Sequence, residues 1–313
     1  MQIFKDTPTF DFMGKRKLAL VFSLALIVTA IISLATKGLN FGLDFTGGTL
    51  IEVAYSETAN LPQIRERLEK SGYEDVMVQN FGTSKDVLIR LAPRDGVKTQ
   101  TLGDQILAAL KEDNADVVMR RQEFVGPQVG SELRDDGGLA MIIALVFILF
   151  YVMARFEYRF ALGSIAALIH DVIITLGVFS IFQIEFDLTV LAAILAVIGY
   201  SLNDTIVVFD RIRENFRRLR KDTPITIINA SLNQTLSRTM MTSFTTVLVV
   251  VAMFFLGGTL IHDFSIALIV GIVIGTYSSI YVASSMVIAM NITATSMMPV
   301  QKEGADQKDQ FLE

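Results

Sequence analysis

The stretch GYSLNDTIVVFDRIREN, Gly199 to Asn215, passes from an apolar run into a cluster of arginines. A hydrophobic segment that ends beside positive charge is typical of a transmembrane helix leaving the bilayer on its cytoplasmic side. Asn203 and Asp204 lie in the apolar part of this stretch, where polar groups are costly. The stretch therefore predicts a membrane protein and raises the question of what an acid does inside the bilayer.

The composition of the whole chain agrees with a polytopic membrane protein. Of its 313 residues, 52% are hydrophobic, and the mean hydropathy is +0.51. The absence of cysteine excludes disulfides and thiolate chemistry. The only histidines are His170 and His262, and no HExxH, Walker-type or GxGxxG pattern occurs. The sequence thus predicts no metal site, no bound cofactor and no enzymatic activity.

Six segments are apolar enough over about 20 residues to cross a hydrocarbon layer. The predicted spans are 18–36, 138–156, 160–182, 188–209, 238–257 and 264–290. The rest of the chain is an N-terminal segment (1–17), a large region between the first two spans (37–137) and a tail (291–313). A cleaved signal peptide is an alternative for the first span, because Lys15, Arg16 and Lys17 precede it. Its length favours an uncleaved anchor.

The basic residues of the short loops predict the orientation. Lysine and arginine are concentrated before the first span, between the second and third spans, and between the fourth and fifth. The loops at 183–187 and 258–263 contain none. Six crossings with both termini in the cytoplasm satisfy this distribution. We therefore expect a multi-pass membrane protein with a cytoplasmic N-terminus and tail and with region 37–137 on the far side of the membrane, in a bacterial periplasm or its equivalent.

Region 37–137 has the composition of a soluble domain. TLIEVAYS (Thr49–Ser56), DVMVQNF, DVLIRLA and ADVVMRRQEFV are typical of strands, and a turn is predicted at Gly82–Lys85. LPQIRERLEKSG and the segment Leu102–Leu110 have helical spacing. The order strand, helix, strand, strand, helix, strand predicts an α+β ferredoxin-like (βαββαβ) domain. It contains no catalytic constellation, which favours a binding or packing surface.

A glycine-rich stretch, NFGLDFTGGTL (Asn40–Leu50), follows the first span. Gly42, Gly47 and Gly48 suit tight turns or the close approach of two backbones. On its own the pattern predicts a loop and no particular function.

Four ionisable residues lie in or beside the predicted spans: His170, Asp171, Asp204 and Arg238. Asp204 lies about 24 Å from the outer end of its helix, and Arg238 about 28 Å from the outer end of the next. The two can therefore lie at similar depth and form an ion pair. His170 and Asp171 are adjacent near the middle of the third span and form a second candidate site.

Two interpretations of Asp204 remain open. As a proton relay, it would alternate between a carboxylate paired with Arg238 and a neutral acid. As a structural group, it would only hold two helices together near the inner interface. Supporting polar residues are Tyr200, one turn before Asp204, with Asn203, and Thr239 and Thr242 in a row of hydroxyls on the fifth span. Such a row suits a helix–helix seam or a hydrated path.

Five strings together carry a resemblance to a known family. They are GLDFTGGTLIEV, QEFVGPQVGSEL, ALIHDVIITLGVFS, IGYSLNDTIVVFDRIREN and LNQTLSRTMMTSFTT. They closely resemble the SecF family, the smaller membrane subunits of the bacterial SecD–SecF protein translocation accessory. One span, an external domain and five further spans also form the half-unit of the resistance–nodulation–division (RND) superfamily. The resemblance covers nearly the whole chain except the tail.

The resemblance implies a non-enzymatic subunit that pairs with SecD and associates with the SecYEG channel, with YajC and YidC as further candidate partners. The proton-motive force would drive late, periplasmic-side steps of preprotein export, with protons as the coupling ion. Asp204 and Arg238 would then belong to the proton pathway. The surroundings are the lipid bilayer, and no nucleic acid is expected. The alternatives are a scaffold that stabilises SecD and the channel without its own relay, and half of a small-molecule or lipid exporter of the same superfamily.

Overall fold

The computed structural model describes residues 9–73, 76–92, 99–113, 116–219, 221–258 and 261–292. The predicted tail (291–313) therefore lies almost entirely outside the described residues, as does the start of the predicted N-terminal segment.

The first half of the chain contains one long helix followed by a mixed region of strands and short helices. Its elements are α1 (Arg16–Thr36), β1 (Asn40–Phe41), α2 (Leu43–Thr46), β2 (Gly48–Ala54), α3 (Leu61–Lys70), β3 (Val76–Phe81), β4 (Thr83–Leu91), α4 (Thr99–Lys111) and β5 (Val118–Val125). The second half is helical. Its elements are α5 (Pro127–Arg155), α6 (Tyr158–Phe182), β6 (Glu185–Phe186), α7 (Leu188–Arg218), α8 (Pro224–Leu256), α9 (His262–Ser278), a π-helical turn (Ser279–Ala283) and α10 (Ser284–Ala289).

Six helical segments are long and apolar enough to cross a membrane, as the hydropathy of the sequence predicts. They are α1, α5, α6, α7, α8 and the continuous segment from α9 to α10. More than half of the residues in the most apolar stretch of α6 and of α7 are buried, so these two helices form the centre of the bundle. Phe160 of α6 and Phe209 of α7 meet there with ring centroids 4.9 Å apart. α1, α5 and α8 present many large apolar side chains outward, which suits contact with lipid.

Several helices extend well beyond the predicted spans. α5 begins at Pro127 rather than near 138, and α8 begins at Pro224 rather than near 238. α7 continues to Arg218, past the predicted end near 209. Hydropathy marks the part of a helix that suits the hydrocarbon core of the bilayer. The helix itself continues as long as its backbone hydrogen bonds are made. Thr223, which caps α8 by accepting a hydrogen bond from Thr226 N at 3.3 Å, is therefore the better sign of its start.

Small residues allow α1 to pack closely against α6. A Cβ on Gly177 would lie 2.3 Å from the Cβ of Ala30, so the two helices touch at this point. One turn further along each helix, the hydroxyls of Ser33 and Ser180 are 2.8 Å apart. Close contact of small residues with a hydroxyl bond is a usual seam between helices in lipid.

The strands β2 to β5 form one four-stranded antiparallel sheet in the order β3-β4-β2-β5. The apolar faces of α3 and α4 cover it, around a core that includes Ile51, Leu68, Ile89 and Ile106. The turn between β3 and β4 is shorter than the four residues that the sequence predicts. Phe81 pairs with Thr83, and Gly82 alone makes the reversal at φ +75°.

The sheet region is attached to the bundle at the loop between α6 and α7. There β1 pairs in parallel with β6, a contact we call the β1–β6 clasp (Asn40–Phe41 with Glu185–Phe186). Arg90 of β4 donates Nη2 to Phe41 O at 2.9 Å, and its Nη1 lies 3.4 Å from Glu185 Oε1. Burial raises the pKa of Glu185, and the Arg90 guanidinium opposes that rise. Asp44 adds a second tie by accepting a hydrogen bond from Leu188 N at 3.0 Å, at the start of α7.

Candidate functional site

Asp204 lies inside the bundle on α7, and only 7% of the residue is exposed. Thr239 on α8 donates its hydroxyl to Asp204 Oδ1 at 2.5 Å. Ser279, in the π-helical turn, donates to Oδ2. The acid therefore joins three consecutive spans through hydroxyl groups. Because a hydroxyl can donate to a carboxylate or accept from a carboxylic acid, these partners suit both protonation states of Asp204.

Arg238 precedes Thr239 in the sequence, but its side chain is exposed. Successive residues of a helix point about 100° apart, so the side chain of Arg238 is directed to a different side of α8 from that of Thr239, which faces Asp204. Within the part of the chain that the structure describes, no ion pair joins Asp204 and Arg238. The pairing that their similar depth allows is therefore not made in this structure, and the acid is held by hydroxyls instead.

His170 and Asp171 form a second polar cluster on α6, and both are almost completely buried. His170 Nδ1 lies 2.9 Å from Asp171 Oδ1. Asp171 Oδ2 accepts from Ser201 of α7 at 2.6 Å and from Ser278 of α9 at 2.8 Å. The second acid thus also ties together three helices, and a ring nitrogen takes the place of one hydroxyl.

The hydrogen bonds beyond His170 accommodate either charge state of the ring. His170 Nε2 is 3.2 Å from Ser23 Oγ, which is 2.9 Å from the Tyr277 hydroxyl. Tyr277 in turn donates to Ala19 O at 2.8 Å. With a neutral ring whose Nδ1 carries the proton toward Asp171, Ser23 donates to Nε2, and the single proton of Tyr277 goes either to Ser23 Oγ or to Ala19 O. With a charged ring, Nε2–H donates to Ser23, which then donates to Tyr277, so every group keeps a partner.

The two clusters approach each other through neighbouring residues on α7 and α9. Ser278, which bonds to Asp171, is followed directly by Ser279, which bonds to Asp204. On α7, Ser201 bonds to Asp171 and lies one turn before Asp204. Ser279 opens a π-helical turn, a feature frequent at functional sites. The result is a band of hydrogen-bonding side chains that runs across the bundle from α1 to α8.

In the described part of the chain, the side chains of the other predicted supporting residues make no hydrogen bond to the Asp204 carboxylate. Tyr200 donates its hydroxyl to Ser243 at 3.3 Å, on the neighbouring helix. Asn203 is exposed. Thr242 is also exposed, and its hydroxyl bonds to main-chain carbonyls of the preceding turn. Of the row of hydroxyls on α8 that the sequence singled out, Thr239 is the member that reaches the acid.

The three motif glycines lie at the junction between the sheet and the bundle, apart from the acids. Gly42 N donates to the carbonyl of Phe186 at 2.8 Å, within the clasp region. Gly47 and Gly48 have φ of +68° and +124°. A Cβ on Gly47 would lie 2.8 Å from Pro127 Cα, and one on Gly48 would lie 2.4 Å from Leu91 O. Both positions bring backbones together at distances that exclude a side chain.

Sequence reasoning missed the serines that hold the two acids. Ser201, Ser278 and Ser279 are fully or almost fully buried, and each donates to a carboxylate. Isolated serines are common in transmembrane helices, so none of them is conspicuous alone. The available signal is their density in YSSIYVASS (277–285), within the last span.

In the described residues, no cluster of three or more histidine or acidic side chains is arranged to hold a metal ion. The side chains hydrogen-bonded in the two clusters are two acids, one imidazole and several hydroxyls. These groups can exchange and pass protons.

Comparisons with known proteins agree with the motifs. A family model described as Protein export membrane protein SecD/SecF, C-terminal, matches residues 105–293, and a SecD/SecF GG Motif model matches residues 32–59. The chain is 56% identical to the Protein translocase subunit SecF of Vibrio alginolyticus, over 97% of this chain and 98% of that protein. The chain belongs to the SecF family.

Further relatives and structures support the same family. The SecF of Pseudomonas aeruginosa is 52% identical, over 96% of this chain and 98% of that protein. The crystal structure of SecDF from Thermus thermophilus, titled a translocon-associated membrane protein, matches with a TM-score of 0.82 and 38% identity over 92% of this chain. SecDF in its super-membrane-facing form matches with a TM-score of 0.70. This chain spans 39% of those longer SecDF chains.

The family membership establishes the general role. The chain is a multi-pass membrane protein and a non-enzymatic subunit of SecD/SecF protein export. It is thus an accessory of Sec translocation. Its relatives are named as translocase subunits and not as drug or lipid exporters.

Proposed function

We propose that this SecF-family chain works with a SecD half to couple the proton-motive force to late, periplasmic-side steps of preprotein export through SecYEG. Asp204 would bind and release the coupled proton, and His170 and Asp171 would be a second station of the same relay. No other coupling ion or cofactor is required.

The observation that carries the proposal is the hydroxyl cage around Asp204. A buried carboxylate fixed by a guanidinium would be held in its charged form, whereas hydroxyls can serve both the acid and its anion. Each proton that crosses 100 mV releases about 2.3 kcal/mol, enough to bias a two-state movement of helices. A relay needs such a group, and the hydrogen-bonded cluster of Asp171 lies beside that of Asp204, because Ser278 and Ser279 are adjacent and bind one acid each.

Arg238 would act from the surface of the bundle, outside the hydroxyl cage of Asp204. Its exposed side chain on α8 is available to a partner half, since a six-helix half of this superfamily is expected to pair with a pseudo-symmetric second half. In the pair, Arg238 would lie beside the proton pathway and adjust the charge balance of Asp204 from the partner side. Association with YajC and YidC, which the resemblance implies, would occur on other surfaces.

The proposed setting is the bacterial inner membrane with both termini in the cytoplasm, as the loop charges predict. Region 37–137 would then be periplasmic and near the emerging preprotein. We propose that this region is ferredoxin-like. The order β2, α3, β3, β4, α4, β5 and the antiparallel sheet order β3-β4-β2-β5 support that assignment.

A scaffold role is the second candidate, and one observation favours it. Thr239 and Ser279 bind Asp204 from two other helices, which is also what a purely structural lock would look like. In that case SecD alone would carry the proton chemistry.

Proton flux in vesicles that contain the purified pair separates the two. Asp204→Asn keeps the size and hydrogen bonds of the side chain but removes its ability to titrate, so the relay predicts loss of proton flux and of proton-driven export. Asp210→Asn is the matched control, because Asp210 lies on the same helix but is partly exposed and pairs with Arg155 at 3.3 Å. It should transport normally. If Asp204→Asn assembles with SecD and transports protons at the native rate, the relay role is wrong and the scaffold role stands.

A further inference from the structure

A groove on the outer surface of the bundle, between α1, α6 and α10, is separate from the cage around Asp204. Its cavity volume is about 270 Å³. Small residues create it, since Ala19, Ala166 and Ala289 line it where larger side chains would fill the space. Most of the remaining lining is aliphatic and includes Leu24 and Ile173.

The groove has the length of one leaflet. On α1 its lining runs from Arg16 to Ile27, in steps of three or four residues along one face. At 1.5 Å per residue this face is about 16 Å long, and half of a 30 Å hydrocarbon core is about 15 Å. The cavity is smaller than the roughly 300 to 1,000 Å³ of most small-molecule sites, and a helix about 10 Å across would not fit. A single acyl chain fits these dimensions.

A positive charge lies at one end of the groove. Arg16, the first residue of α1, is half-buried there, and Lys15 and Lys17 flank it. Its side chain makes a long hydrogen bond of 3.5 Å to Met13 O. Among the described residues no carboxylate lies within ion-pair distance of Arg16. A guanidinium at the interface end of an apolar slot is complementary to a phosphate that is joined to an acyl chain.

A second group at the same end lacks a partner. Ser285 lines the groove one turn before the end of α10, and its Oγ is buried. In the part of the chain described by the structure, this hydroxyl makes no hydrogen bond. Buried polar atoms are rarely left without a partner, so this hydroxyl is an unused donor within the wall of the slot.

From the slot, its length, the cation and the unused donor together, we infer that the groove binds an anionic phospholipid of the leaflet on the Arg16 side. One acyl chain lies along Ala19 to Ile27, the phosphate lies against Arg16, and Ser285 donates to an oxygen of the headgroup or glycerol region. The acyl chain would also cover His170 and Ser23, which form part of the groove wall. It would thereby keep water from reaching the hydrogen bond between them.

Photocrosslinking in bilayers tests this. The full chain is placed in phosphatidylcholine vesicles with a small fraction of either phosphatidylglycerol or phosphatidylcholine that carries the same photoreactive acyl chain. Crosslinked peptides are then identified by mass spectrometry. We expect phosphatidylglycerol to label the groove peptides about fivefold more than phosphatidylcholine, the effect of one basic residue near an anionic headgroup. Arg16→Gln should remove this preference, and Lys17→Gln, which alters an exposed neighbour outside the groove, should largely keep it.

A second variant tests the slot itself. Ala166→Phe should fill the groove and reduce labelling of its peptides by both lipids, with labelling of the exposed face of α5 unchanged. Equal labelling by the two lipids that does not respond to Arg16→Gln would overturn the inference, because it would show ordinary annular lipid. Loss of groove labelling when the SecD half is bound would also overturn it, because the partner would then be the occupant. Should Ala166→Phe not fold, the Arg16→Gln comparison decides alone.

Discussion

Gly48→Ala is expected to weaken the sheet at the point where it meets the bundle. Gly48 has φ +124°, which side chains rarely tolerate, and its new Cβ would lie 2.4 Å from Leu91 O. The oxygen belongs to the main chain of β4, so relief requires the two strands to separate. Backbone strain of this kind costs about 1 to 3 kcal/mol, and forced overpacking about 1 to 3 kcal/mol more. A total near the middle of this range, about 3 to 4 kcal/mol, is expected.

Hydrogen–deuterium exchange of the full chain in nanodiscs measures this locally. Since each 1.4 kcal/mol is a factor of ten, exchange of the β2 and β4 amides should accelerate by at least about 100-fold if they open through sheet separation. Gly138→Ala is the matched control, because nothing lies within 4 Å of its Cβ and its φ is helical. It should leave the same amides unchanged. Equal exchange in the two variants would show that the close approach at Gly48 is not what excludes a side chain.

Two further outcomes follow from the same structure. Gly275→Ala would place a Cβ 3.1 Å from Ser201 Oγ and disturb the hydrogen bond from Ser201 to Asp171. The melting temperature of this variant in nanodiscs should therefore fall by about 2 to 4 °C. Gly199→Ala is the control, because open space surrounds that position, and it should not lower the melting temperature. Burial raises the pKa of Glu185, so its protonated form stabilises the clasp at low pH, and that stabilisation is lost as pH rises through the raised pKa. Exchange of the β1 amides, corrected for the intrinsic rate, should therefore quicken as pH rises above about 4.3 in the native chain and lose this dependence in Glu185→Gln; a pH dependence that persists in the variant would contradict the argument.

The membrane spans were predictable because a bilayer imposes a length on every helix that crosses it. Their ends were not, because the helices continue past the apolar stretches. α5 begins at Pro127 and includes the polar stretch Gln128–Asp136 before its apolar part. The start of α5 is set by Gly126. Its backbone is extended, and it separates the end of β5 from the first helical residue, Pro127.

The sheet region was predictable in its order of elements and less so in its turns. Alternation in Thr49–Ser56 is the pattern of a half-buried strand, and Asn60 caps α3 by accepting from Gln63 N at 3.3 Å. The turn between β3 and β4 was predicted too long, because a residue such as Ser84 is polar yet can continue a strand. Pairing between strands decides this, and sequence pattern does not show it.

The sequence singles out the two buried acids of the bundle but not the side chains that bind them. Asp204 and Asp171 stand out because charge is rare in apolar runs. Ser278 and Ser279 do not, since their role depends on how α9 is rotated against α6 and α7. The position of Arg238 shows the same limit, because equal depth in the membrane places two residues at one level but does not make them face each other.

The β1–β6 clasp has a mechanical consequence. It holds the sheet region to the loop that starts α7, and Asp44 is bonded to the first amide of that helix. α7 is 31 residues long, or about 46 Å, and carries Asp204 roughly 24 Å below the clasp. A helix is stiff along its axis, so a shift or tilt of α7 would be transmitted directly to the sheet region through the clasp and Asp44.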